Sequence, residues 1–487
     1  MKKIRLLAAI LISGLCWYFS CDLSGNYWYL LWIAPIPVLL LSFHVCSRHA
    51  FIISCIAYLI GRLSWLSYLL IVLPIPLAIF FTVLFPIIFA LVVLLTRKIV
   101  LAKQKAWSAF AFPVLWCLFE FLVFKFSPDG TAGSLAYTQS NFLQIIQIAS
   151  VTGILGITFL VTLFPSAVAV AIYYRHNKKL VKHFAIIFSL VVIPLIFGVI
   201  RLNGESSNEN TVIVGLIVVD EKFHEETNHP NPDSELHTAT MYANAIAQLA
   251  QQGAQVVLIP EKAVNVTPEF GFPIKSVLAN AATNNHVAVV AAFTEFINDT
   301  SKLNKASVIS GHGLILADYK KVNLFEGETK SGFIPGKENA TFKLNNVSSG
   351  VAICKDMDYQ NFMRSYADKN VQIVYVPAWD FIKDGWLHSR MAILRGVENG
   401  FAVVRAARQG ELTISDYHGK VLYETTTTNN KAASLIANVP LHATKTVYSE
   451  FGDWFGYLIV LASIYFIVIV MRRNNRDVEK SSERTSE

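Results

Sequence analysis

"FIISCIAYLIGRLSWLSYLLIVLPIPLAIFFTVLFPIIFALVVLL", residues 51–95, is apolar almost throughout. A bilayer core takes about 17–25 helical residues, so the stretch is too long for one crossing. The "LPIP" at 73–76 divides it, because proline removes a backbone donor and breaks a helix. The whole of residues 1–200 reads the same way. Candidate spans are 4–20, 27–45, 50–70, 76–96, 107–124, 150–173 and 181–200, and one more at 454–471 stands alone near the C-terminus. The start, "MKKIRLLAAILISGLCWYF", has the basic-then-apolar order of a signal peptide. It lacks a clean small-x-small cleavage site and further spans follow at once, so it reads as a retained first helix.

Charge placement tests this count. The 487 residues are 54% apolar, with 41 Lys and Arg against 34 Asp and Glu. The basic excess does not mark a nucleic-acid surface, because most of it sits in short clusters between apolar spans. Lys2, Lys3 and Arg5 precede the first span, and Arg48 and His49 follow the second. Arg97, Lys98, Lys103 and Lys105 follow the fourth, Arg175, Lys178, Lys179 and Lys182 the sixth, and Arg472, Arg473 and Arg476 the last. The intervening loops are poor in bases. By the positive-inside rule both termini are expected in the cytoplasm and residues 201–453 outside it, in the periplasm of a Gram-negative cell. A soluble protein with apolar helices would not alternate its charges in this way.

Residues 201–453 have globular composition. "TVIVGLIVV" (211–219), "AQVVLIPE" (254–261), "HVAVVAAFTEF" (286–296), "KASVISGHGLILADYKK" (305–321), "SSGVAICKD" (348–356), "VQIVYVPAW" (371–379) and "FAVVRAARQ" (401–409) read as strands. Helices are expected at 234–253, 273–285, 359–369 and 385–400. Such alternation argues a layered α/β fold, whose active residues gather at strand C-termini. The division is a membrane domain (1–200), an extracytoplasmic α/β domain (201–453), a final span (454–471) and a disordered cytoplasmic tail (472–487).

Glu261 and Cys354 both follow strands, with Lys320 and Lys321 between them in the chain. Cysteine acyl chemistry needs such a set: a thiol, a base, and positive or hydrogen-bonding groups for the oxyanion. Each signal is weak alone, since a lone cysteine is more often packing than catalysis; the three in order are far less common. The six cysteines show neither paired nor metal-binding spacing. His224, His229 and His237, in or near an Asn/Pro-rich loop, lack tetrahedral spacing and read as surface residues. No metal or cofactor is implied. Transport would need polar groups within the spans, and there are few beyond Glu120.

These strings resemble the carbon–nitrogen hydrolase, or nitrilase, superfamily, whose triad runs Glu, Lys, Cys in that chain order. "VVLIPE" resembles the glutamate segment, "ADYKKVNLFEGE" (317–328) the lysine segment, "FIPG" (333–336) the turn after it, and "GVAICKDMDY" (350–359) the nucleophile elbow. The match selects Glu261, Lys321 and Cys354, and Asn323 stands where soluble members usually carry histidine. The whole chain resembles the apolipoprotein N-acyltransferase family within that superfamily. "FPVLWCLFE" (112–120), "LAYTQSNFLQIIQIASVTGILGITFLV" (135–161) and "HSRMAILRGVENGFAVVRAARQG" (388–410) are similar to its further motifs.

The resemblance implies seven spans, a periplasmic nitrilase-like α-β-β-α sandwich and a final span, in the bacterial inner membrane. It implies acyl transfer from a phospholipid, through a thioester on Cys354, to the free α-amine of the diacylglyceryl-cysteine of a lipoprotein. Glu261 would be the base, Lys321 the oxyanion partner that also depresses the thiol pKa, and Glu328 an additional carboxylate. Lys355, Asp356, Trp379, Trp386 and His388 are candidates for a secondary or substrate site. The partners implied are the phospholipid donor, the diacylated lipoprotein acceptor and the membrane, with no nucleic acid; the chain is expected to act as a monomer. The sequence departs from the family where Lys355 and Asp356 replace a usual Tyr-Glu after the cysteine, and in "VVDEKFHEETNHPNPD" (218–233), which lacks a usual Gln-x-Asn and Trp. A membrane-tethered amidase, or an acyltransferase with another acceptor, is the alternative these departures leave open.

Overall fold

The computed structural model describes residues 2–103, 105–204, 210–219, 230–442 and 445–485. The chain divides into two units, Met1–Asn203 with Asp453–Glu487, and Gly204–Gly452.

In the first unit, six helices among the described residues are long and apolar enough to cross a membrane: Ser47–Val72, Ile75–Ala102, Ala106–Phe126, Ile154–Tyr173, Lys182–Asn203 and Trp454–Met471. The break at Pro74 falls where the "LPIP" string places it. Shorter apolar helices lie at Ile4–Ser20 and Leu143–Thr152. The expected span 27–45 is not one helix. A 3₁₀ turn, Trp28–Trp32, gives way to Ile36–Ser42 with Pro35 at its start and Pro37 in its first turn. Prolines fit the first turn of a helix and not its interior, so the segment restarts there. The last helix runs Trp454–Thr485 and so continues into residues expected to be a disordered tail.

The second unit is built on thirteen strands among the described residues. They are β1 (Thr211–Val218), β2 (Val256–Leu258), β3 (Val264–Val266), β4 (Ala288–Asn298), β5 (Ser301–Ile309), β6 (Ile315–Lys320), β7 (Ala340–Leu344), β8 (Val347–Val351), β9 (Ile373–Trp379), β10 (Ala402–Arg408), β11 (Glu411–Ser415), β12 (Val421–Thr426) and β13 (Ala433–Pro440). One sheet runs β13-β1-β2-β4-β5-β6 with β3 beside β4, and the other runs β12-β11-β10-β9-β8-β7. Pairing is parallel at the centre of each, β1-β2-β4 and β8-β9-β10.

Strand periodicity sorts the side chains into layers. Val212, Val214, Leu216 and Val218 face one way and pack with Val351, Tyr375, Val404 and Ile414 of the other sheet. The opposite face of the first sheet is covered by the helices Pro232–Gln251 and Gly271–Asn284 through Tyr242, Ile246 and Leu278. The second sheet is covered by Gln360–Ala367 and Gly385–Asn399 through Met363, Tyr366 and Ala392. The result is the α-β-β-α sandwich.

One expected strand is a hairpin instead, and another is shorter than expected. Residues 305–321 split between β5 and β6, which pair antiparallel around Ser310–Leu314 with Gly313 at φ 79°. β8 pairs with β7 and ends at Val351, three residues before the thiol. The helix expected from 234 begins at Pro232, because the Asn231 side chain caps the amides of Asp233 and Ser234. His224, His229 and most of the 218–233 segment lie outside the described residues; His237 is exposed on the helix Pro232–Gln251.

Candidate active site

Three chain crossings bring the candidate residues together within the second unit. Glu261 follows β2, Lys321 follows β6 and Cys354 follows β8. Lys321 Nζ lies 2.8 Å from Glu261 Oε1 and 2.7 Å from Glu328 Oε2, and all three groups are buried. Burial alone would lower the Lys321 ammonium, but the two carboxylates outweigh it and hold the lysine well above its usual range. Burial would likewise raise Glu328; Lys321 and then Lys262 reverse this and push it down to about 2. The lysine is therefore a fixed cation between two carboxylates.

Asn304, on β5, carries no local sequence signature and was not among the expected residues. Its Nδ2 donates to Glu261 Oε1 at 2.6 Å and Glu328 Oε1 at 2.7 Å, while its backbone carbonyl accepts from the Lys321 amide at 2.9 Å. One residue thus sets the spacing of all three charged groups. Lys262 is a second unexpected neighbour, 3.3 Å from Glu328 Oε1, with its ammonium 4.6 Å from the Phe333 ring centroid and 5.5 Å from that of Trp379.

Cys354 stands at φ 44°, in the left-handed region that side chains avoid. Strain of this kind persists only where the surroundings hold it, and Asp356 supplies the hold. Its carboxylate accepts from Tyr319 Oη (2.6 Å), Ile353 N (2.9 Å), Asn323 N (2.8 Å) and Asn323 Nδ2 (3.0 Å). Burial still raises it to about 6 against those donors. Asp356 is therefore a brace for the elbow. Lys355 is turned to Asp358, 3.7 Å away.

The thiol itself contacts the Trp379 carbonyl at 3.6 Å. Its pKa runs opposite to expectation. Burial pushes it well above the ordinary thiol value, Glu261 adds to this, and the opposing pull of Lys321 and Arg405 is smaller. The cation that would lower the thiol is itself paired with two carboxylates, so burial dominates the direction of the shift.

His388 and Trp379 belong to adjoining contacts. Arg405 places Nη1 2.9 Å from Asp380 Oδ2 and Nη2 2.5 Å from Asp380 Oδ1, and His388 Nδ1 lies 3.2 Å from Asp380 and 3.3 Å from Asp384. Burial would lower His388, but Asp384 and Asp380 lift it to about 9; burial would raise Asp380, but Arg405 takes it down to about 2. Gly410 accommodates the pair, since a Cβ there would lie 1.9 Å from Asp380 Oδ2. Asp380, Asp384 and His388 have ligand atoms within 4.8 Å of one another, a grouping that could hold a metal. The guanidinium on both Asp380 oxygens already supplies the cation, so the cluster reads as an ion-pair network. Trp379 lies under the Arg408 guanidinium at 3.9 Å, whereas Trp386 turns to Arg390, which pairs with Glu424.

Two family models match the chain. One describes the apolipoprotein N-acyltransferase N-terminal domain and covers residues 13–167, and the other describes carbon-nitrogen hydrolase and covers 231–447. An apolipoprotein N-acyltransferase of Geobacter metallireducens is 24% identical over 92% of this chain and 92% of its own length. Apolipoprotein N-acyltransferase 2 of Treponema denticola is 24% identical over 77% of this chain and 79% of its own. Among solved structures, an amidase from Nesterenkonia sp. aligns at 21% identity with a TM-score of 0.40, over 49% of this chain and 94% of that one.

Proposed function

Because the chain belongs to the apolipoprotein N-acyltransferase family of the carbon–nitrogen hydrolase superfamily, we propose that it moves a fatty acyl group from a phospholipid to a lipoprotein amine through Cys354. The observation that carries the reading is the buried Glu261–Lys321–Glu328 network, with Cys354 held at φ 44° at the end of the neighbouring strand.

The steps follow from those groups. Cys354 Sγ attacks the carbonyl carbon of a phospholipid acyl ester while Glu261 takes the thiol proton. The oxyanion forms against Lys321, whose charge is fixed in place before the reaction begins. The carbon–oxygen bond then breaks, Glu261 returns the proton to the departing glycerol oxygen, and lysophospholipid leaves a thioester behind. In the second half the α-amine of a diacylglyceryl-modified cysteine attacks the thioester carbonyl. Glu261 accepts an amine proton, the carbon–sulfur bond breaks, and the proton passes to the thiolate, giving an amide and the resting thiol. Lys355 and Asp356 are committed to internal contacts, which supports retention of the family's acceptor over a changed one.

The acceptor is tested on enzyme preloaded from labelled phospholipid. Label should move to a diacylated lipopeptide with a free N-terminus and stay on the protein when that terminus is acetylated. Release as free fatty acid at equal rates with either peptide would replace the reading with a membrane-tethered hydrolase.

A further inference from the structure

We propose that Lys262 is a positioning residue for acyl transfer: it faces the Glu328 oxygen that Lys321 does not hold, and so leaves Lys321 to meet the oxyanion. This role rests on the thioester reading above.

Lys262 directly follows Glu261 in the link between β2 and β3. In an extended chain consecutive side chains point to opposite faces. Here both serve one network. Glu261 Oε1 meets Lys321 Nζ and Asn304 Nδ2, and Lys262 Nζ lies 3.3 Å from Glu328 Oε1. A turn in the backbone allows this, because Lys262 stands at φ 52°, in the left-handed region that side chains avoid. The turn is held from both sides. The Lys262 carbonyl accepts from Arg408 Nη1 on β10 at 3.0 Å, and the Ala263 amide donates to the Ala292 carbonyl on β4 at 3.1 Å. A strained residue fixed beside the candidate site points to a function.

The surroundings keep the charge in place. Lys262 is buried, with its ammonium 4.6 Å from the Phe333 ring centroid and 5.5 Å from that of Trp379. Such faces attract a cation most when water is excluded. Both rings are themselves fixed. Phe333 belongs to the "FIPG" turn, whose flanking Gly332 carbonyl and Ile334 amide pair with the Lys302 backbone at 3.0 and 2.9 Å. The Lys302 ammonium lies 4.8 Å from the same ring. Trp379 lies under Arg408, and its carbonyl is the group that meets the thiol.

Charge decides what this arrangement does. Glu328 Oε2 accepts from Lys321 Nζ and the Phe325 amide at 2.7 and 3.0 Å, while Oε1 accepts from Asn304 Nδ2 and faces Lys262. Glu261, Glu328 and Lys321 together carry one net negative charge, and Lys262 brings the sum of these groups to zero. During attack the thiol proton passes to Glu261, the carbon–sulfur bond forms, and the carbonyl π pair moves to oxygen. A negative charge thus leaves Glu261 and appears against Lys321. With Lys262 in place, that oxyanion forms among two cations and one anion. Without it, the oxyanion and Glu328 compete for a single ammonium, at a buried site where such a difference weighs heavily. Arg405, Asp380, Lys302 and Arg408 are the other charged groups nearby, and they are the same in every variant below.

The test follows single-turnover loading of the full-length protein, in detergent, from acyl-labelled phospholipid, against both pH and lipid concentration. Lys262→Met should slow loading about 30-fold while the half-saturating lipid concentration stays within about twofold. The acid limb of its pH profile should move up by about one unit, because a cation beside the carboxylates is gone. Lys262→Arg should recover most of the rate with the limb in place. Adding Glu328→Gln to Lys262→Met removes one charge of each sign, so the limb should return to its wild-type position although the rate stays low. A merely structural role would lower the rate at every pH and leave the limb unmoved. Loading by Lys262→Met within about twofold of wild type, or an unmoved limb in that variant, would overturn the proposal. So would a double variant whose limb still sits about one unit above wild type, a comparison that stands even where the single variant does not fold. Wild-type protein that never loads would remove the thioester reading and this role together; equal loading by wild type and folded Lys262→Met would remove this role alone.

Discussion

Replacing Glu328 with glutamine keeps the side-chain shape and removes one charge from the candidate site. In the folded protein this carboxyl is pushed from 4.5 down to about 2, because Lys321 and Lys262 outweigh its burial. At about 1.4 kcal/mol per pH unit, that depression corresponds to roughly 3 kcal/mol of stability at neutral pH. Breaking a buried ion pair costs about 3–5 kcal/mol, so the two routes agree in size. The folded value lies below the unfolded one. The contribution is therefore complete above about pH 4.5 and drains away as the pH falls towards 2. Thermal unfolding of the full-length chain in detergent, followed by tryptophan fluorescence, should show Glu328→Gln well below wild type at pH 7. The gap should close as both are acidified. Acyl transfer should fall roughly 10–100-fold, because Lys321 would then draw on Glu261 alone and weaken it as a base. A stability gap unchanged between pH 7 and pH 3, or a rate within about twofold of wild type, would refute the reasoning.

Asn304→Leu should cost about 2–4 kcal/mol, since two buried carboxylates each lose a donor, and should slow acyl transfer more than it weakens lipid binding; kcat and KM measured separately check this. Asp380→Asn should destabilise the chain by about 3–5 kcal/mol by leaving Arg405 buried without its carboxylate, and adding Arg405→Met should restore most of that in thermal unfolding. Prolonged dialysis against a chelator should leave acyl transfer unchanged, because Arg405 already occupies both oxygens of Asp380; loss of activity restored by one divalent metal would show that Asp380, Asp384 and His388 form a metal site instead.

Much of this was legible in the sequence, and the reason is local. Glu261, Lys321 and Cys354 each end or follow a strand inside a recognisable string, and helix length with charge alternation marks most of the membrane unit. What stayed hidden depends on pairing between distant segments. Asn304 is an ordinary residue in a β-rich run until β5 folds against β6 and carries it between Glu261 and Glu328. Asp356 looked like a changed substrate contact because the cysteine string shows its position and not its four donors, which come from Tyr319, Asn323 and Ile353. The thiol's upward shift is hidden for a related reason: the string shows a lysine for the thiol but not that lysine's pairing with two carboxylates. The interrupted helix at 27–45 could have been foreseen from Pro35 and Pro37, which apolarity alone overlooks.

The most direct test of the thioester account is intact-protein mass spectrometry after incubation with a phospholipid of defined acyl chain and no acceptor. Wild-type protein should gain the mass of one acyl group, the gain should map to Cys354 and vanish with neutral hydroxylamine, and Cys354→Ala should never acquire it. A folded wild-type protein that transfers acyl chains without ever carrying one, or a Cys354→Ala protein that still carries it, would contradict the account.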